Sequence, residues 1–383
     1  MSQVRPSLVC FSNLDWHYLR YRKQHLMARL ARRFDVVYVN PPRASKSRAP
    51  REWNTVEQIG ASLWVLEPIV LPGVRRSAAI KRVNDRLIVS AIRKLPISHA
   101  APIAWAYSPH ARDLVDLVAP RFVVYDIADN YTTPSGAEVR DEDERRELAR
   151  LAELETSMLG RADMVLCVSD TLAARARQGH PVVHVVPNGC DYEAYQQAGL
   201  SVRRHTRPRI GYVGTVAPRV DVDLLVELAR ANPGWDVQVV GPVSPLVAID
   251  RRRTPPNLLW TGEVPYARVP AIIARFDVGI LPLRVIPFAT DCSPIQVFDY
   301  LAAGKPVVST PVSQLQAWPG LIRTAEGADA FASAIRGALA DTSTASVAER
   351  QLFARANSWS ARVSRIMDLL GEAGALPAEA AAA

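Results

Sequence analysis

The stretch RIGYVGTVAPRVDVDLLVELARANPGWDVQVVG, residues 209–241, sets the terms for the whole chain. It reads as a short strand, Arg209–Val213, ending at Gly214, then a 3.6-period helix over Val222–Ala231, then a second β-branched strand over Trp235–Val240. A strand, a helix and a strand in that order form the unit of a parallel sheet, which carries its sites at the carboxyl ends of the strands. Downstream the rhythm continues, with strands at Leu258–Trp260, Val278–Leu281 and Val307–Ser309 and a helix at Asp329–Ala340. A last helix is predicted over Val347–Leu370, with an apolar stripe of Leu352, Ala356, Trp359, Val363, Ile366 and Leu370.

Upstream the same alternation runs through the first half. Strands are predicted at Leu8–Phe11, Val36–Val39, Leu63–Leu66, Ile103–Tyr107, Phe122–Asp126, Met164–Val168 and Val182–Val186. Helices are expected near His17–Arg33, Ala78–Lys94, His110–Val118, Asp141–Leu159 and Thr171–Gln178. Between the halves lies PNGCDYEAYQQAGLSVRRHTRPR, a polar segment without clear period, read as a junction. The fold class is therefore α/β, with a Rossmann-like domain at 1–190, a second at 208–345, and a C-terminal helix and frayed tail at 346–383. Two such units imply a cleft between them, where ligands usually sit.

Composition narrows the function classes. The chain has 383 residues, 49% hydrophobic and 22% charged, which excludes collagen-like, coiled-coil and wholly disordered classes. Net charge is +8 and uneven: residues 1–125 hold 20 Lys/Arg against 8 Asp/Glu, and the rest of the chain holds 26 against 30. A basic N-terminal third suits an anionic partner or is simply a solvated Arg-rich surface. Cys10, Cys167, Cys190 and Cys292 lie far apart, without CxxC pairs, and read as reduced thiols of a cytosolic protein. No stretch approaches the ~18 apolar residues of a spanning helix, so any membrane association is peripheral.

The richest segment is DCSPIQVFDYLAAGKP, Asp291–Pro306, followed by the apolar run VVST. Ser293-Pro294 reads as a helix start and Gly304 as its end. A helix beginning behind a strand presents free N–H groups and the positive end of its dipole, which suits a diphosphate. Asp299 then lies inside the helix, where a carboxylate either meets the vicinal hydroxyls of a ribose or is an ordinary surface charge; local physics rates the two equally.

This segment resembles the E-x7-E element of retaining GT-B glycosyltransferases of family four, the glycosyl transferases group 1 of cell-envelope polysaccharide type. The two acids, eight apart, are Asp291 and Asp299. The resemblance implies that Asp291 meets the donor sugar and Asp299 the donor ribose, with Ser293, Ile295 and Gln296 on the phosphates. Both acids are Asp where the family has Glu, and Gln296 stands where related sequences often carry Lys.

IGYVGT at 210–215 is similar to the first strand and turn of that family's donor domain, which implies phosphate contacts at Gly214 and Thr215. The family's Arg and Lys after this turn reduce here to Arg219, a candidate stabiliser of the leaving diphosphate. VVGP at 239–242, with Gly241, and TGEVPYARVP at 261–270 resemble the strand ends that frame the base, and Arg284 is a further cation near the acidic element. In the first half, CFSNLDWHYLRYRKQHLMARLA is similar to a subgroup with a Ser-x-x-x-Trp loop and an Arg-x-Gln helix start: Ser12, Trp16, Arg22 and Gln24. That implies an acceptor-side role for Ser12, Trp16 and Arg22. VVYDIADNY, 123–131, matches the same subgroup and implies Asp126 and Asp129 facing the cleft, Asp129 first, as groups that orient or deprotonate the acceptor hydroxyl. Ser169, Asp170 and the Asn188-Gly189 turn read as structural.

Taken together, the resemblance implies a GT-B fold with the C-terminal helix crossing back to the N-terminal domain. It implies transfer of a sugar from a nucleotide diphosphate donor of UDP or GDP type, used as co-substrate, to a hydroxyl on a glycan or lipid-linked acceptor. Retention, no metal and no further cofactor are expected. So is a cytoplasmic protein at the inner face of the cell membrane, touching anionic lipid through its basic third, and not a nucleic-acid binder. Nucleotide-sugar epimerases share the double-Rossmann architecture, and a degenerate transferase that binds nucleotide without turnover is the non-enzymatic alternative.

Overall fold

A computed structural model describes residues 5–45, 53–73, 77–134, 139, 141–199, 205–250, 252–286, 291, 293–341 and 343–376. The chain divides into two compact units. The first comprises Met1–Ala128, Arg146–Val186 and Val363–Ala383, and the second Asp129–Arg145 and Pro187–Arg362. The C-terminal stretch from Val363 thus belongs to the same unit as the N-terminus.

The first unit is built on an eight-stranded sheet ordered Val183–Val185, Met164–Cys167, Phe122–Ile127, Ile103–Ala106, Ser7–Phe11, Asp35–Val39, Leu63–Glu67, Thr55–Gly60. Every pair is parallel except the last, which is antiparallel. Its central strands are largely apolar, Asp126 being the charged exception, because side chains pointing either way are buried. Val9, Val37, Ala104, Val123 and Val165 share one core with Ile88 and Val89 of the Ala78–Ile92 helix.

The second unit holds a six-stranded parallel sheet ordered Leu258–Gly262, Asp236–Val240, Arg209–Val213, Val278–Leu281, Val307–Ser309, Ile322–Thr324. The strand order reverses at Arg209–Val213, with later strands added on either side. Such a reversal is where doubly wound sheets open a crevice at their carboxyl edge. A separate core surrounds this sheet, with Ile210, Val237, Val278, Val297, Leu301 and Ile335 buried in it.

Most predicted elements appear within a residue or two of their expected bounds, and the departures have physical causes. The final helix is two helices, Thr344–Ala356 and Trp359–Glu372. The break comes where Ser358 forms a parallel bridge with Cys190 and the Trp359 N–H donates to the Cys190 carbonyl at 2.9 Å. It resets the helical phase, so Leu352 is 69% exposed while Trp359, Ile366 and Leu370 are buried. The first helix starts at Arg22 instead of His17, because the Gln24 side chain accepts from the Tyr21 N–H and closes the helix start there. The junction read as irregular contains the helix Tyr192–Gly199.

Candidate functional site

The carboxyl edge of the second unit's sheet is shaped first by two glycines. Gly214 and Gly241 end adjacent strands with φ of 146° and 137°, a region that side chains rarely enter. A Cβ on Gly241 would lie 2.2 Å from the Gly214 carbonyl oxygen, and one on Gly214 would lie 2.5 Å from Nε2 of Gln296. Backbone therefore lies against backbone here, with two polar side chains, Gln296 and Tyr212, beside it. The turns are tied together by the Gly214 N–H to the Val240 carbonyl at 2.8 Å, the Val216 N–H to Pro242 at 2.9 Å, and the Tyr212 hydroxyl to the Thr215 carbonyl at 3.1 Å.

Above this edge the helix Ile295–Ala302 begins. Its cap is Pro294 instead of Ser293, and no side chain caps it, so the first-turn N–H groups of Ile295 and Gln296 have no carbonyl within the helix to bond. The sequence FDYLA places Tyr300 inward, where its hydroxyl accepts the Val213 N–H at 2.9 Å and locks the helix to the strand that ends at Gly214. That contact ties the helix to the strand end beside the glycine turns.

The two acids differ sharply. Asp291 is partly exposed, and its Oδ2 accepts a 2.6 Å hydrogen bond from the side-chain amide of Asn130. Asn130 is itself buried in a turn, its Oδ1 accepting from the Thr132 N–H and hydroxyl. Two residues on, Ser293 is held by Asn188, whose amide donates to the Ser293 carbonyl at 2.6 Å and whose N–H reaches the Ser293 hydroxyl at 3.4 Å. Asn130 and Asn188, read respectively as nothing and as a plain turn residue, are what position the start of the acidic element. Both are more than 100 positions from their partners, and short-range pattern carries no signal of such contacts.

Asp299 is only 7% exposed, with Oδ1 buried and without a hydrogen bond of ordinary geometry. Burial pushes its carboxyl well above the usual range, and the Asp191 carboxylate pushes the same way, while the Tyr195 hydroxyl opposes them. Arg219 is partly exposed, its carbonyl accepting the Arg284 N–H at 2.7 Å. Arg284 pairs with Asp223 at 3.7 Å and with Asp221 at 4.0 Å, so its charge is already met by carboxylates. Asp129 belongs to this unit and is half-buried, adjacent in sequence to Asn130.

In the first unit the expected acceptor-side residues separate into two groups. Ser12 and Trp16 shape one loop. The Ser12 hydroxyl donates to the Leu14 carbonyl and shares a 2.6 Å hydrogen bond with the Tyr38 hydroxyl, and Trp16 packs edge-on against Tyr38 at 5.0 Å. The Trp16 N–H is held by Oδ1 of Asn40 at 2.9 Å.

Arg22 and Asp126 are corrected. Both were expected to face a ligand, yet Asp126 is 0% exposed and Arg22 2%, and they form a buried ion pair, Nε to both carboxylate oxygens at 3.0 and 3.1 Å. Arg22 also donates to the Val186 carbonyl at 2.8 Å. An aspartate inside a strand buried on both faces needs a buried partner, and the guanidinium supplies it. Asp126 therefore has no open face toward an acceptor hydroxyl. The run FVVYDI, a charge in a continuous apolar strand, is the signal that would have found this.

Among the described residues, no group of His, Cys, Asp and Glu is placed to hold a metal ion, and no helix is long and apolar enough to cross a membrane.

With this geometry in place, family comparison matches residues 207–341 to the glycosyl transferases group 1 family. Residues 207–341 are a glycosyl transferases group 1 domain. That domain contains both acids, both glycine turns and the helix that joins them. A curated relative, a putative teichuronic acid biosynthesis glycosyltransferase (TuaH) of Bacillus subtilis strain 168, is 30% identical over 266 residues. The match takes in 65% of this chain and 66% of the relative's length. Among solved structures, sucrose-phosphate synthase from Thermosynechococcus elongatus superposes with TM-score 0.69 at 17% identity, over 97% of this chain and 100% of that one. HepE from Anabaena, solved in complex with UDP, gives 0.64 at 15% identity, over 96% and 100%. At these identities the likeness is one of fold: the group 1 domain sits in a chain of GT-B type, with two Rossmann-like units.

Proposed function

We propose that the protein is a glycosyltransferase that moves a sugar from a nucleotide diphosphate donor to a hydroxyl acceptor in cell-envelope polysaccharide or glycolipid synthesis. The observation that carries the reading is the meeting, inside the group 1 domain, of the Gly214 and Gly241 turns with the uncapped start of the Ile295–Ala302 helix. A glycine edge beside a helix start suits a diphosphate, whose charge is met by N–H groups and the helix dipole.

In this reading the backbone at Gly214, Thr215, Ser293, Ile295 and Gln296 receives the diphosphate, and Arg219 adds a cation for the leaving group. Gly241 lies on the side of the base. Asp299 takes the ribose hydroxyls and Asp291 the sugar, with Asn130 fixing the direction of Asp291. Asp129 orients the acceptor hydroxyl. Charge that develops on the departing diphosphate is stabilised by fixed dipoles, so the reaction calls for no metal or other cofactor, and the resemblance to retaining enzymes carries the expectation of retention. UDP in the structure of Anabaena HepE and a teichuronic acid assignment for the Bacillus relative support a nucleotide-sugar donor and an envelope glycan or lipid-linked acceptor. A nucleotide-sugar donor and four well-separated cysteines fit a cytoplasmic reaction.

The test is a donor screen that measures release of UDP or GDP, repeated with Asp299→Ala. Turnover that the substitution abolishes supports the assignment. Turnover of donor without acceptor points to epimerase chemistry, and nucleotide binding without turnover over an acceptor panel points to a degenerate transferase.

The excess positive charge of residues 1–125 supports a second element of the proposal, contact with the anionic inner face of the membrane. The helix Ala78–Ile92 leaves Arg82, Val83 and Arg86 exposed on one face, and each basic residue near such a surface is worth about 1 kcal/mol. Flotation with liposomes that requires anionic lipid bears this out; flotation independent of it returns the charge to ordinary solvation.

A further inference from the structure

We propose that Tyr195 is a positioning residue for the nucleotide site, its hydroxyl holding the Asp299 carboxylate in the orientation that a ribose requires. The inference rests on the donor reading above and adds a residue to it.

The helix Tyr192–Gly199 lies against the helix Ile295–Ala302, tied to it by the Gln196 side chain, whose amide donates to the Ala302 carbonyl at 2.7 Å. One residue before Gln196, Tyr195 is 1% exposed. Its hydroxyl faces the Asp299 carboxylate, and that hydroxyl and Oδ1 of Asp299 are both buried with no other hydrogen-bond partner among the described residues. Buried donors and acceptors are almost always paired, and with no other group to turn to the phenol and the carboxylate are each other's partner. The phenol donates to one carboxylate oxygen and leaves the other for ribose hydroxyls.

The surroundings make the phenol matter. The titratable groups facing Asp299 are Asp191 and Cys190 from the segment before the Tyr192–Gly199 helix, Tyr195 on that helix, and Tyr300 beside it on its own. Tyr266 faces Tyr195. Asp191 repels a charged Asp299, and burial disfavours the charge further. The Tyr195 hydroxyl is the group acting in the opposite direction.

The test is calorimetric titration with UDP, and with GDP, across roughly pH 5 to 8 on the full chain as wild type, Tyr195→Phe and Asp299→Asn. Near-ultraviolet circular dichroism checks that each variant is folded. Comparing variants at each pH cancels the nucleotide's own ionisation. In the wild type, affinity falls on the acid side as Asp299 protonates. Tyr195→Phe moves that acid midpoint up by roughly half to one pH unit and weakens binding about 3- to 10-fold near neutrality. Asp299→Asn weakens binding and removes the acid limb.

A merely packing role for Tyr195 lowers affinity equally at every pH, and an unmoved midpoint in Tyr195→Phe overturns the inference while leaving the donor reading intact. If Asp299→Asn keeps full affinity, or neither nucleotide binds the wild type, the donor reading itself falls and this inference with it.

Discussion

The side-chain amide of Asn130 donates a 2.6 Å hydrogen bond to Oδ2 of Asp291, joining residues 161 positions apart within one unit of the fold. Asp291 thereby has a fixed direction before any ligand arrives. A hydrogen bond to a charged group is worth about 1.5–3 kcal/mol, which corresponds to roughly a 10- to 100-fold change in rate if it orients a group that meets the transferred sugar. Asn130→Ala is therefore expected to lower kcat/KM for the donor by that factor and also to lower the melting temperature, since its bonds to Thr132 go as well, so the kinetics are compared at a temperature where the variant is folded. Asn130→Asp, which sets two carboxylates at the same distance, is expected to be worse. Steady-state kinetics of nucleotide release on the two variants check this.

Asn188 is expected to act on binding instead of turnover. Its amide holds the Ser293 carbonyl at the start of the Ile295–Ala302 helix, and its own backbone carbonyl accepts from Nε of Arg362 at 3.1 Å. Asn188→Ala frees the Ser293 turn, with an expected loss of about 1–2 kcal/mol in nucleotide affinity. Titration with UDP or GDP reads the change directly.

The buried pair of Arg22 and Asp126 carries a stability prediction. Removing one partner strands a charge, so Arg22→Met or Asp126→Leu alone is expected to cost about 3–5 kcal/mol, whereas the double replacement recovers most of it. Urea unfolding of the three variants decides the point. Near-additive losses in the double variant would mean that the pair is not the source of the cost.

Asp299 gives a pH prediction whose sign follows from burial. Its folded-state carboxyl lies above its unfolded value, so the folded protein binds the proton more tightly, and stability declines as pH rises through the window between the two. Asp299→Asn removes that decline. The variant without ligand is expected to be about 1–2 kcal/mol more stable than wild type near neutrality, a gap that narrows as pH falls, even though its nucleotide affinity is lower. Thermal melts over a pH series check the trend.

Gly241→Ala tests the backbone cradle. The added Cβ meets the Gly214 carbonyl at 2.2 Å, in a region of φ that alanine avoids. A loss of about 2–4 kcal/mol in stability is expected, together with weakened nucleotide binding, measurable in the same melts and titrations.

How much of this was legible in the sequence depended on range. The central strands showed plainly, because a parallel sheet covered on both faces writes itself as short β-branched runs. The strand Thr55–Gly60 did not, since all six of its residues are exposed and TVEQIG has no buried face to reveal. Tyr192–Gly199 was hidden by the turn residues before it. The acids Asp291 and Asp299 were visible by spacing and resemblance, but their environments were not: one is open and held by Asn130, the other nearly closed off beside Tyr195. Asp126 looked like Asp129 on paper, and only the packing shows that Asp126 is half of an ion pair inside the sheet.

The central claim is that the group 1 domain holds a nucleotide diphosphate at the carboxyl edge of its sheet. The most direct measurement is a crystal structure of the wild-type chain with bound UDP or GDP. The account predicts the diphosphate against Gly214 and the first turn of the Ile295–Ala302 helix, with ribose hydroxyls on Asp299. A nucleotide seated elsewhere, or one whose ribose lies away from Asp299, would contradict it.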